Sequence, residues 1–145
     1  MRKTLRFVLF GFLFLILGCK GYTLDSIPYV ISGEFVMEDD MQEYEICGVD
    51  FFLMNQSEKD ISKINIVFFL FDQDGEPAYE CRNKISIETE LTVSAGESSN
   101  FILSLDQFMN SIPSDPLLVD YLYLAKIEYE DGSIWEDPYG LIAFK

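Results

Sequence analysis

Beyond its first few dozen residues the chain is predicted to be all-β: an antiparallel two-sheet sandwich of about seven or eight short strands behind an N-terminal signal helix. Three observations predict this. Apolar and polar residues alternate with a period of two through most of the sequence, turn signals recur about every ten residues, and no useful length carries a helical period. The aromatic content agrees. Of the 22 Phe, Tyr and Trp residues, 18 lie after residue 18, which demands a packed core rather than a disordered acidic segment.

The first strand is expected over Tyr29–Met37, with Gly33 as a bulge or a point of close approach and Glu38-Asp39-Asp40 as the turn. Tyr44–Met54 follows, with Cys47, Val49, Phe51 and Leu53 on one face; residues 55–60 then form a polar loop. Ile64–Phe71 is apolar on both sides, with Ile64, Ile66, Phe68 and Leu70 opposed to Val67, Phe69 and Phe71, so it belongs at the centre of its sheet. Asp72-Gln73-Asp74-Gly75-Glu76-Pro77 ends it in a strong turn signal.

Lys84–Val93 alternates most cleanly, placing Ile85, Ile87, Thr89, Leu91 and Val93 inward. A turn at Ala95–Ser98 leads into Asn100–Leu105. Asp106 is suited to cap one helical turn to about Met109, which Pro113 and Pro116 keep short. Tyr121, Tyr123, Ala125, Ile127 and Tyr129 form one face of the next strand. Asp131-Gly132 signals a hairpin, and Ser133–Phe144 returns as the last strand, with Pro138 and Gly140 marking an edge or a bulge. This layout is of immunoglobulin or fibronectin type III style.

The leader decides where such a domain would reside. Arg2, Lys3 and Arg6 precede an apolar run of eleven residues, Phe7–Leu17. As a helix that run covers roughly 17 Å, too little for a hydrocarbon core of about 30 Å. Basic start, short apolar region and small residue before a cut make a secretory signal peptide, residues 1–18. Ile16-Leu17-Gly18-Cys19 resembles the lipobox of bacterial lipoproteins. The resemblance implies a diacylglyceryl group on the Cys19 thiol, cleavage before Cys19 and acylation of the new terminus. Two or three acyl chains hold a protein stably on a membrane. The implied protein is exported and lipid-anchored to the cell membrane or outer membrane; Lys20, in place of Asp, would permit outer-membrane sorting. Residues 19–28 form the lipidated cysteine and a short tether, and residues 29–145 the domain.

The leader carries three of the ten Lys/Arg and none of the 25 Asp/Glu, leaving 7 basic against 25 acidic residues and a formal charge of −18. Such a surface repels nucleic acid and anionic headgroups and tolerates cations or basic proteins. Among the cysteines after Cys19, Cys47 and Cys81 are either a disulfide, which an oxidising compartment permits, or two buried thiols.

Catalytic chemistry finds little to work with. There is no histidine, which removes the Ser-His-Asp and Cys-His nucleophilic sites and most catalytic zinc sites. A carboxylate pair for glycoside hydrolysis is the one enzymatic alternative left by the composition. Asp72, Asp74 and Glu76 alternate beside Gly75 in a way that suits Ca²⁺, although Asn83 stands where an EF-hand loop would place its bidentate Glu. Trp135 and Tyr139, on the last hairpin with Tyr121, Tyr123 and Tyr129, are candidates for ligand stacking or for anchoring a protein interface.

Phe68-Phe69-Leu70-Phe71-Asp72 resembles the name-giving motif of the FxLYD domain, a small immunoglobulin-like module of exported prokaryotic proteins. Phe68, Leu70 and Asp72 match it and Phe71 replaces its Tyr. An Asn-containing loop before the strand, an Asp-Gly turn after it and a Gly-Glu turn before a later strand follow the same order. The resemblance implies no catalytic residue. Together these readings lead to a non-catalytic interaction or structural module, with an envelope or surface protein as the partner class. The alternative is a lipoprotein that binds a cation or small solute through acidic loops.

Overall fold

The strands that alternation predicts pair into two antiparallel sheets in the computed structural model, which describes residues 27–40 and 44–144. The leader, Cys19 and the tether up to Ser26 lie outside them. Three strands, β1 (Tyr29–Asp40), β2 (Tyr44–Asn55) and β5 (Ser98–Ser104), form one sheet in the order β1-β2-β5. The other contains β3 (Ile61–Phe71), β4 (Lys84–Val93), β6 (Leu118–Tyr129) and β7 (Ile134–Glu136), in the order β4-β3-β6-β7. This is the predicted sandwich, with seven strands among the described residues.

Its core is assembled from the inward residues of both sheets. Val49, Phe51 and Leu53 of β2 face Ile64, Ile66, Phe68 and Leu70 of β3, all fully buried. Phe51 sits at the middle, its ring edge-on to Phe68 at 5.6 Å and stacked on Phe101 at 5.4 Å. Burying one such side chain contributes roughly 1.5–3 kcal/mol. Gly33 pairs with Phe51 without breaking the β1–β2 register. A Cβ on it would lie 3.0 Å from the Phe51 ring, so close approach, and not a bulge, is its reason.

One pole of the sandwich is tied together by Asn55, read from the sequence as the first loop residue but fully buried as the last residue of β2. Its amide donates to the carbonyls of Lys59, Val93 and Ser94 and its Oδ1 accepts from Ser57. The chain enters at this same pole, where the Pro28 carbonyl accepts from Gln56 N–H. The two sheets are also bridged by Tyr29, whose hydroxyl accepts the Leu124 N–H at 3.0 Å.

Several boundaries differ from expectation. Glu38–Asp40, expected as a turn, continues β1 in register with Tyr44–Ile46. The 3-10 turn Asp106–Phe108 has Leu105 as its cap residue, with no side-chain cap bond from Asp106. The last strand stops at Glu136: Asp137 N–H still bonds the Ala125 carbonyl, and the chain turns from Pro138, with Gly140 N–H donating to the Asp137 carbonyl. The predicted face of β6 is interrupted: its register against β3 shifts between Asn65 and Ile66 and again between Val67 and Phe69. Leu124, Ile127 and Tyr129 therefore point into the core while Tyr121 lies on the outside.

Candidate functional site

The outer face of the four-stranded sheet divides into two halves. Near the entry pole it is a charged lattice, with Lys63 paired to Glu88 and Lys126 to Glu128 at 2.6 Å. Each lysine is pushed above its ordinary value, first by its hydrogen bond to its partner carboxylate, and Glu128 is held below its own by Lys126. These pairs are exposed enough to add little stability.

The far half is aromatic. Phe69 and Phe71 project outward near the end of β3, and the register shift of β6 between Val67 and Phe69 delivers Tyr121 beside them. The Tyr121 ring lies 5.7 Å from Phe69, 6.3 Å from Phe71 and 5.9 Å from Phe144. Leu118 pairs with Phe71 and stands exposed at the margin. The Lys84 ammonium rests 5.9 Å from the Phe69 ring centroid. Tyr121 and Phe144 are each 53% exposed, so this cluster faces outward although a core would gain by taking such rings in.

Tyr121 also has a φ of +48°, a left-handed backbone that a residue with a Cβ adopts at a cost of order 1–3 kcal/mol. Its N–H is held at 2.7 Å by the Asp120 carboxylate. The bulge thus places an exposed ring at an energetic cost to the strand.

Phe144 reaches the cluster because residues 137–144 fold back as a strap. Asp137 is 3% exposed, and its Oδ2 accepts from the N–H groups of Ile142 and Ala143. Gly140, at φ +67°, allows the crossing, since a Cβ there would sit 3.0 Å from the Phe144 ring. Tyr123 is covered in this way, its ring 5.7 Å from Phe144 and its hydroxyl donating to the Pro138 carbonyl. Burial raises the Tyr123 phenol above its ordinary value, with Asp137 adding to the effect.

The acidic turn adjoins the aromatic half, since Asp72 directly follows Phe71 and Leu117 directly precedes Leu118. Asp72 Oδ1 accepts the N–H groups of Asp74 and Glu76, each at 2.9 Å. Asp72, Asp74, Glu80 and Asp115 line an open depression of about 230 Å³, together with Pro116 and Leu117. Gln73 closes one side by donating to the Pro116 carbonyl. Among the described residues no three carboxylate or thiol side chains gather closely enough to hold a metal ion. The Ca²⁺ ligand set expected from Asp72, Asp74 and Glu76 is therefore not assembled: Asp72 organises the turn, and Glu76 is absent from the depression.

The remaining sequence-predicted residues separate. Trp135 turns inward, edge-on to Tyr29 at 5.6 Å, so its role is packing. Tyr139 is exposed on the strap. Cys47 and Cys81 are both buried as thiols, and burial pushes Cys81 up to about 11, with Glu80 and Cys47 adding to it. The sequence reading missed Phe144 and the joining of Phe69, Phe71 and Tyr121. The doubly apolar β3 was the available signal, since central placement covers a strand's edges but not its outer face.

No protein-family model matches the chain, and neither curated proteins nor solved structures provide a match. Among the described residues no helix is long and apolar enough to cross a membrane.

Proposed function

We propose that this chain is an exported, lipid-anchored lipoprotein whose FxLYD-like β-sandwich is a non-catalytic interaction module. The contact surface is the outward aromatic cluster of Phe69, Phe71, Tyr121 and Phe144. The observation that carries the reading is Tyr121, a half-exposed ring held in a left-handed backbone. Strain of that kind persists where the surrounding structure enforces it, and it concentrates at binding sites. Large exposed aromatics are also the residues that most often dominate protein interfaces.

The anchor would give the cluster an orientation. Lipid on Cys19 would hold the entry pole near Pro28 close to the membrane. β3 runs from Ile61 at that pole to Phe71 at the other, ten steps at about 3.3 Å, or roughly 33 Å. The aromatic half would then face away from the membrane, where an envelope protein can reach it. Phe68 and Leu70 fill the core and Asp72 forms the turn, which gives the motif residues a structural role without any catalysis.

Two experiments test the proposal. Labelled palmitate should enter the wild-type chain and not Cys19→Ser, and labelling of the variant would sink the anchor. A photo-crosslinking residue at position 121 should give a discrete adduct in intact cells, whereas one at Glu90 in the charged half should not. Equal adducts at both positions would remove the aromatic surface as the contact.

A further inference from the structure

The aromatic cluster does not end in neutral surface. At Phe71 and Leu118 it meets the depression lined by Asp72, Asp74, Glu80 and Asp115. We propose that the partner is a polypeptide segment in which a lysine or arginine lies beside apolar side chains. The cation would enter this depression while the apolar groups seat on Tyr121 and Phe144. The inference rests on the aromatic surface being the contact and adds the chemistry of what it contacts.

Charge complementarity carries it. A chain of −18 after the leader attracts basic partners generally, but here four acidic residues line one open space that adjoins exposed rings. Its volume of about 230 Å³ equals several waters at roughly 30 Å³ each, which suits a charged head on a flexible stem. A bare metal ion fits poorly, because Asp72 Oδ1 already accepts two backbone N–H groups and no metal-holding group is assembled among the described residues. Lys84 over the Phe69 ring shows within the chain the cation–aromatic pairing that a partner would repeat.

The test uses the full-length chain in detergent micelles, with fluorescein-labelled alternating Leu–Lys and Leu–Ser heptapeptides as probes, read by anisotropy. The Leu–Lys peptide should bind about tenfold tighter than Leu–Ser at low salt, and lose that margin at high salt. Asp72→Asn with Asp115→Asn should weaken Leu–Lys binding about tenfold. Both changes keep an oxygen acceptor for the existing hydrogen bonds. Glu90→Gln with Glu136→Gln makes the same charge change in the lattice half and should alter binding by less than about twofold. Equal weakening by both double variants would reduce the effect to the general field and overturn the inference, as would no binding at about 100 µM peptide. If Tyr121→Gly abolishes binding of both peptides while Asp72 and Asp115 do not matter, the aromatic contact survives and the cationic partner falls.

Discussion

At the scale of single residues, two side chains carry costs that ordinary packing does not require. Asn55 is fully buried with every polar atom partnered, so a truncation takes a donor from three carbonyls, of which Lys59 keeps Ser57 and Ser94 keeps Glu97. Asn55→Ala should cost about 2–4 kcal/mol, read as a lower urea midpoint at unchanged slope. A loss under about 0.5 kcal/mol would show that the loops at that pole hold themselves. Tyr121 makes the opposite case. Tyr121→Gly removes three ring contacts, yet it also removes the strain of φ +48°, so the net change in stability should stay within about 1 kcal/mol. Tyr121→Val, with a β-branched residue at positive φ, should cost at least about 1 kcal/mol more than the glycine variant. Equal costs would mean that the backbone there is not strained.

At the scale of elements, legibility followed the regularity of the pleat. β4 was readable to the residue, Lys84–Val93, because four apolar residues and Thr89 alternate without a break with five polar residues whose side is exposed. β6 was readable as a strand and not as a face: of its three register shifts against β3, the two between Asn65 and Phe69 put Tyr121 outside while Tyr129 stays in the core. Bulges leave no mark in alternation except that it appears continuous. The strap is the clearest case. Residues 133–144 read as one strand, but Asp137 captures two N–H groups from within its own segment, a local bond that competes with sheet pairing. Asp137→Ala should therefore release residues 138–144, giving fast hydrogen exchange at Ile142 and Ala143 while β3 and β4 amides keep their protection. The cost should be about 2–3 kcal/mol, as for hydrogen bonds to a charged group. Exchange that stays slow at Ile142 would show that the Phe144 contacts alone hold the strap.

At the scale of the whole molecule, hydrophobic burial joins the two sheets and one polar contact helps to fix how they face each other. Tyr29 belongs to β1 while its hydroxyl accepts the Leu124 N–H of β6, and its ring meets Trp135 of β7. Burial pushes the Tyr29 phenol up to about 12, against the opposing pull of the Leu124 hydrogen bond. Below about pH 10 the phenol is neutral in both states, and its contribution to stability is fully present. Between about pH 10 and 12 the unfolded chain ionises first, so stability falls by up to about 1.4 kcal/mol per pH unit, on the order of 2–3 kcal/mol in all. Tyr29→Phe lacks that titration, but it leaves the Leu124 N–H without an acceptor. The variant should thus be about 1–2 kcal/mol less stable than wild type at pH 8, and the gap should close as the pH approaches 12. Urea unfolding of both chains at pH 8, 10 and 11.5 reads the difference directly and cancels the other tyrosines and lysines that titrate in the same range. A gap that stays constant with pH would mean that the Tyr29 phenol is solvated, and that its contact with Leu124 does not set how the sheets face each other.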